Sequence, residues 1–178
     1  VAPLNPAALA LKRLTGTMPI IFVVAIDPVG TGLAASLGHP GGNATGTTVA
    51  GPETAAKRLQ MLRELAPTAR RVGIVGNAAF PGFDEVRNAL DNAASGLGFV
   101  IVNGTVSDAD GFVRALESMS AQRVDALMVL GDNLTHLHLR EIVSLATGTR
   151  IPSVYSQQEF CDGGGLACYG VDLRANYR

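Results

Sequence analysis

Between residues 71 and 155 the sequence carries four short apolar runs: Arg71–Val75, Phe99–Val102, Ala126–Leu130 and Ile151–Tyr155. Stretches of helical periodicity, about 10–15 residues each, separate them. Runs this short and this apolar read as strands buried on both faces, because neither face tolerates a charge. Strands alternating with helices fold as right-handed βαβ units on a parallel sheet. The helices are expected at Glu53–Ala66, with Leu59, Leu62 and Leu65 on one face; at Asp84–Ala94, where two acids suit the positive N-terminus; at Gly111–Ala121, after a capping box over Ser107–Asp110; and at Thr135–Ala146. A last strand over Leu166–Tyr169 and a helix starting at Asp172 complete the pattern.

The first fifty residues follow another rhythm. Asn5-Pro6 reads as a cap and a proline opening a helix that Gly16 ends. A strand over Met18–Ile26 holds seven consecutive apolar residues from Ile20 to Ile26, as a strand buried on both faces does. Asp27-Pro28 and Gly30-Thr31-Gly32 then turn the chain into a short helix, Leu33–Leu37. Gly38–Gly46 is too rich in glycine and proline for a helix or central strand, and reads as a surface loop or a connection between two lobes. Thr47–Ala50 is briefly extended. Gly30-Thr31-Gly32-Leu33-Ala34-Ala35 matches a dinucleotide-binding turn, but no second strand follows that ends in the acid needed for a ribose.

Charge and composition exclude several classes. Fourteen basic residues against fifteen acidic leave no electrostatic reason to hold nucleic acid. The longest apolar run is far short of the ~20 residues that cross a bilayer. No signal segment is visible, and without an initiating methionine the start reads as processed, trimmed or truncated. His136 and His138 are two apart, so on a helix they diverge and no metal site is expected. No nucleophile–base pair or cofactor motif has local support, and no catalytic residue is assigned. Cys161 and Cys168 flank three glycines; two buried thiols is the simpler reading, and a bridge across the turn the alternative.

The carboxyl ends of the expected strands carry Asp27, Asn77, Thr105, Asp132, Tyr155-Ser156 and Tyr169. On a parallel sheet most of these reach one edge, where α/β folds bind ligands. Each also has a local reading as a turn residue or cap; Asp132 suits the cap of the next helix. Glu159 fits a capping box with Ser156, or a carboxylate facing a ligand amine.

DPVGTGLAASLGHPGGNATG from Asp27, KRLQMLRELAPTARRVGIVGN from Lys57, DALMVLGD from Asp125 and IPSVYSQQEFCDGGGLACYGVDLRANYR from Ile151 together resemble the periplasmic substrate-binding proteins of ABC transporters, related to tryptophan- and tyrosine-binding members. The resemblance implies a Rossmann-like, doubly wound parallel α/β fold of the periplasmic-binding-protein type I kind. Residues 1–50 would be the tail of the N-terminal lobe plus a crossover, 51–170 the C-terminal lobe, and 171–178 the start of a return helix. The first strands of the N-terminal lobe, the signal segment and the C-terminal return would be missing from this chain. It implies a non-enzymatic import component, periplasmic or lipid-anchored outside the inner membrane, that closes on a small molecule and delivers it to an ABC permease. A ligand-sensing regulatory domain of the same fold is the alternative, and a dinucleotide-using enzyme a remoter one. The expected ligand contacts are Asp27, Asn77, Asp132, Tyr155, Glu159 and Tyr169, with Asp132 accepting from an amine, Asn77 bonding a carboxylate or amide, and a tyrosine stacking on a flat ligand. Self-association through the surface around Ile20–Ile26 is also expected.

Overall fold

The computed structural model describes residues 1–2, 5–49, 51–80, 82–107 and 109–171. The helix expected from Asp172 and the capping box through Asp108 lie outside them. The described chain runs α1 (Asn5–Leu14), β1 (Ile20–Ile26), β2 (Ala44–Val49), α2 (Pro52–Leu65), β3 (Arg71–Asn77), α3 (Phe83–Leu97), β4 (Val100–Val106), α4 (Ala109–Ala121), β5 (Ala126–Val129), α5 (Asn133–Leu137), α6 (Leu139–Gly148), β6 (Ser153–Tyr155), α7 (Gln158–Asp162) and β7 (Ala167–Cys168).

The strands form two parallel sheets, a large one in the order β4-β3-β5-β6-β7 and a small one of β1 and β2. In the large sheet the chain moves outward one way from β3 to β4, then returns past β3 to β5 and onward. The order therefore reverses between β3 and β5, and such a switch point opens a crevice at the carboxyl ends of the strands. Helices cover both faces. Leu59 and Leu62 of α2 and Leu90 and Ala94 of α3 pack with Val72, Ile74 and Met128 on one side. Leu116, Ile142, Val143 and Phe160, from α4, α6 and α7, pack with Val75, Val129 and Tyr155 on the other. Strand β3 is buried over its central five residues, as its uncharged sequence requires.

Several local expectations give way to tertiary contacts. Leu33–Leu37 is a series of turns and not a helix. Lys12 Nζ donates to the carbonyls of Gly32 (2.7 Å) and Leu33 (3.0 Å), and Ala34 N–H donates to Pro28 O, so these groups are unavailable for helical bonds. Ala44–Gly46, read as loop, belongs to β2 and pairs with Ile20–Phe22. Strand β1 is buried on one face only: Ile20, Phe22 and Ala25 are inside and Ile21 is half exposed. The single helix expected over Thr135–Ala146 is two, broken at His138 (φ −103°, ψ 20°). Asn5, read as a cap, is the first helical residue. Cys161 and Cys168 form a disulfide that closes the three-glycine turn and ties α7 to β7, which replaces the two-thiol reading.

Candidate functional site

Asp27 ends β1 in a left-handed conformation (φ 41°), which an aspartate tolerates when its side chain bonds locally. Its Oδ1 accepts Gly30 N–H at 2.9 Å, and its carbonyl accepts from Thr31 N and Thr31 Oγ1. A Cβ at Gly30 would collide with the Asp27 carboxylate, so the turn needs that glycine. The glycines once comparable to a dinucleotide fingerprint thus serve an Asp-anchored turn with no helix behind it.

A buried residue of α1 holds this strand end. Asn5 Oδ1 accepts Ile26 N–H at 2.7 Å, and Asn5 Nδ2 donates to Ile26 O at 2.6 Å and weakly to Thr31 Oγ1 at 3.4 Å. The amide side chain takes the place of a neighbouring strand's peptide group.

On the large sheet, Asn77 ends β3 and its Oδ1 accepts Ala79 N–H at 2.9 Å, starting the turn that leads to Phe80, Gly82 and α3. Gly82 has φ 89°, and a Cβ there would stand 3.5 Å from Thr31 and 3.8 Å from Ile26. The β3–α3 loop therefore lies against the end of β1. A pocket of about 310 Å³ opens at this junction, with Leu9 and Thr31 on the small-sheet side. Phe80, Phe83, Asp84 and Glu85 line the other side, at the N-terminus of a 15-residue helix. Its volume is at the lower end of the range for small-molecule sites.

Asp132 lies beyond β5, beside β3. Its Oδ1 accepts Thr135 N–H at 2.7 Å, Thr135 Oγ1 accepts Asp132 N–H at 2.9 Å, and the pair caps α5. The other oxygen, Oδ2, is buried without a hydrogen-bond partner among the described residues. Ser156 Oγ and Gln157 Oε1, just past β6, are in the same condition. Both side chains lie on Gly131: a Cβ there would be 2.7 Å from Gln157 Cδ and would collide with Ser156 Oγ.

Tyr155 is fully buried, its ring 5.0 Å from and nearly parallel to that of Phe160, so it builds the core and is not free to stack on a ligand. Burial pushes its hydroxyl pKa up; the Ser153 side chain acts weakly the other way. Glu159 is half-buried in the first turn of α7, whose N-cap is Gln157 without a side-chain bond, so the expected Ser156–Glu159 capping box does not form. Tyr169 keeps an exposed ring while its backbone is held on both sides: its N–H donates to Tyr155 O (2.9 Å), and its carbonyl accepts from Arg58 Nε (2.6 Å). Arg58 is buried on α2, and burial lowers its pKa to about 10 against the opposing pull of Tyr169. Thr105 bonds Asn103 of its own strand (2.8 Å).

The structure thus brings Asp27, Asn77, Asp132 and Tyr169 to the carboxyl edges of the strands and sends Tyr155 inward. Sequence reasoning missed Asn5, Phe80, Phe83, Arg58 and Gln157. The Phe80-Pro81-Gly82-Phe83 stretch directly after a strand-ending asparagine was the available signal for the two aromatic rings. Nothing local marks Asn5 or Arg58.

With that geometry in view, residues 1–175 match the family model described as ABC transporter substrate binding protein. The chain belongs to this family. A tyrosine-binding protein of Clostridioides difficile (strain R20291) is 29% identical over 168 residues, 94% of this chain but 48% of the relative. Among solved structures, an ABC domain from Streptococcus pneumoniae in complex with L-Trp superposes with a TM-score of 0.86 at 24% identity, over 97% of this chain and 57% of that one. The ligand-free, open structure of a substrate-binding protein with adhesive properties from Clostridium difficile gives 0.69 at 28% identity, with the same coverages. The chain spans about half the length of the curated relative it matches. The fold is α/β with parallel sheets, of the periplasmic-binding-protein type I kind.

Proposed function

We propose that the chain is part of the solute-binding component of an ABC-type import system and holds a small amino-acid-like or aromatic molecule between two lobes. Residues 1–50 contribute to one lobe and the crossover, and 51–170 form the other. The observation that carries the reading is the pocket of about 310 Å³ where the turn after β1 meets the β3–α3 loop, with two phenylalanine rings and two carboxylates on one wall. Aromatic rings take up flat apolar groups, and a few charged hydrogen bonds gain strength when lobes exclude water. The tyrosine-binding and L-Trp-bound relatives support that ligand class.

Asp27, Asn77, Asp132, Glu159 and Tyr169 remain the proposed contacts, joined by Phe80 and Phe83, with Tyr155 as support. Lobe closure is then the signal a permease reads. The reading places the protein outside the inner membrane, free in the periplasm or lipid-anchored, where the Cys161–Cys168 bond is at home. It needs no cofactor and assigns no catalysis. Exposed Leu14, Met18, Ile21 and Leu37 support self-association through the small-sheet side.

Titration calorimetry with L-tyrosine, L-tryptophan and 4-hydroxybenzoate tests the reading. Saturable binding of at least one, weakened by Phe83→Ala, is expected. No binding of any would overturn it.

A further inference from the structure

The near-neutral total charge hides an uneven distribution along the strands of the large sheet. At its amino-terminal edge, the last turn of α2 and the loops leading into β3, β5 and β6 carry Arg63, Arg70, Arg71, Arg123 and Arg150 against Glu64 and Asp125. At the opposite edge α3 opens on Asp84 and Glu85, and α7 on Glu159. Register sets the arginines in a row. Strands β4, β3, β5 and β6 are successive neighbours. Val100 faces Arg71, Val72 faces Ala126, and Leu127 faces Ser153, so Arg70-Arg71, Arg123 and Arg150 stand at the feet of three adjacent strands. At about 4.8 Å between strands, the row from β4 to β6 spans about 15 Å.

The fold uses two of these five side chains. Arg63 stacks on Phe99 and donates to the carbonyls of Pro67, Ala69 and Leu97, and Arg71 Nε donates to Gln122 O. Arg70, Arg123 and Arg150 are exposed, and among the described residues their side chains make no hydrogen bond or ion pair. Arg123 and Arg150 also stand where a side chain is a disadvantage. Each follows a helix in the left-handed conformation (φ 51° and 55°), with the next N–H bonded back across it, Val124 to Met119 O and Ile151 to Ala146 O. Helix α3 ends the same way, Phe99 N–H on Ala94 O, but uses Gly98 (φ 67°). Glycine serves such a turn without steric cost. The helix dipole mildly favours a cation there, which eases the substitution but leaves the guanidinium's donors unused. Between and beside the arginines, Val100 (56% exposed) and Leu65 (45%) present apolar side chains to solvent.

We propose that this edge of the large sheet is a docking surface for an anionic lipid bilayer. Exposed guanidiniums pair bidentately with headgroup phosphates, and apolar side chains set among cations enter the interface, the combination that interfacial surfaces share. An acidic protein would satisfy the guanidiniums, but a bilayer also takes up Val100 and Leu65 and demands no matching shape. The inference goes beyond the solute-binding reading and does not rest on it. The pocket opens past the carboxyl end of β3, so solute and lipid use opposite ends of the sheet.

Vesicle sedimentation at low salt tests the proposal, with phosphatidylcholine alone and with a quarter of it replaced by phosphatidylglycerol. Each arginine near an anionic surface strengthens binding about fivefold, so the three free ones should give the wild type a preference of about a hundredfold for the anionic vesicles. High salt should abolish it. Arg123→Gly with Arg150→Gly should cut the preference to about fivefold with the melting temperature unchanged or raised, because glycine suits both turns. Adding Arg70→Gln should remove the rest. Equal binding to the two vesicles, or a preference that survives in the triple variant, would overturn the proposal. A lower melting temperature in the double glycine variant would assign those arginines to the turns and count against it. Salt-sensitive binding to polyglutamate with none to vesicles would overturn it in favour of an acidic protein. The solute titrations above are independent of each of these outcomes, so the two readings fail separately.

Discussion

Asn5 offers a sharp test of how the end of β1 is held. Its side chain is fully buried and satisfies both the N–H and the C=O of Ile26, at 2.7 and 2.6 Å. Replacing it with alanine leaves two buried backbone groups without partners, at about 1–3 kcal/mol each. Taking about 3 kcal/mol for the pair, and 2–4 °C per kcal/mol for a chain of this size, Asn5→Ala should lower the melting temperature by roughly 6–12 °C if the chain unfolds as one unit. The local signal is independent of that condition: protection of the Ile26 amide against hydrogen exchange should fall about a hundredfold. Asn5→Asp separates the two bonds. Its carboxylate still accepts Ile26 N–H but sets a second oxygen against Ile26 O, so at neutral pH it should be no more stable than alanine. Acidification protonates the side chain and restores a donor, so Asn5→Asp should gain on Asn5→Ala as pH falls through the aspartate's raised pKa. Unchanged protection at Ile26 in Asn5→Ala, or an Asn5→Asp variant as stable as wild type at pH 7, would refute the peptide-mimic account.

Asp125 accepts the backbone N–H groups of Arg70 (2.8 Å) and Arg71 (2.9 Å), and these bonds, with Arg70's first, hold its carboxyl below the usual range. A lowered carboxylate pKa contributes stability above its unfolded value near 4 that is lost as pH falls through the lower folded value. Denaturant titrations from pH 2 to 6 should therefore show a flatter profile in Asp125→Asn than in wild type; identical profiles would remove the role. Breaking the Cys161–Cys168 bond with a Cys161→Ser, Cys168→Ser pair frees a short loop, worth about 2 kcal/mol on a chain-entropy account. The expected result is a melting point lower by several degrees and faster exchange at Tyr169 N–H, which pairs with Tyr155 O beside that loop.

The large sheet was legible because its strands are short, evenly spaced and, past Arg71 at the start of β3, uncharged, and burial leaves few other ways to fold them. The strand-end residues were legible for the same reason: a parallel sheet puts Asn77 and Asp132 on one edge whatever their side chains do next. What could not be read are outcomes decided across the chain. Leu33–Leu37 has a helical composition, but Lys12, twenty residues upstream, takes its carbonyls. The break at His138 has no glycine or proline to announce it. Tyr155 stands at a strand end as a cleft residue would, yet its period-two position turns it onto Phe160. Spacing left Cys161 and Cys168 undecided, because pairing depends on where β7 docks.

The strand ends share one device that bears on the proposed contacts. Asp27, Asn77 and Asp132 each commit one side-chain oxygen to a backbone N–H two or three residues on, at 2.9, 2.9 and 2.7 Å. The bond starts a turn, and it also fixes a side chain that would otherwise sample several rotamers at a cleft edge. Ordering such a side chain on binding costs about 0.5–1.5 kcal/mol, so a turn that orders it beforehand removes that cost from every ligand. A residue used this way presents its second polar atom in a set direction, as Asp132 does with Oδ2. If these residues are the contacts proposed above, turn chemistry and recognition are successive uses of the same residue, and a substitution that keeps the turn while altering the free atom, such as Asp132→Asn, separates them.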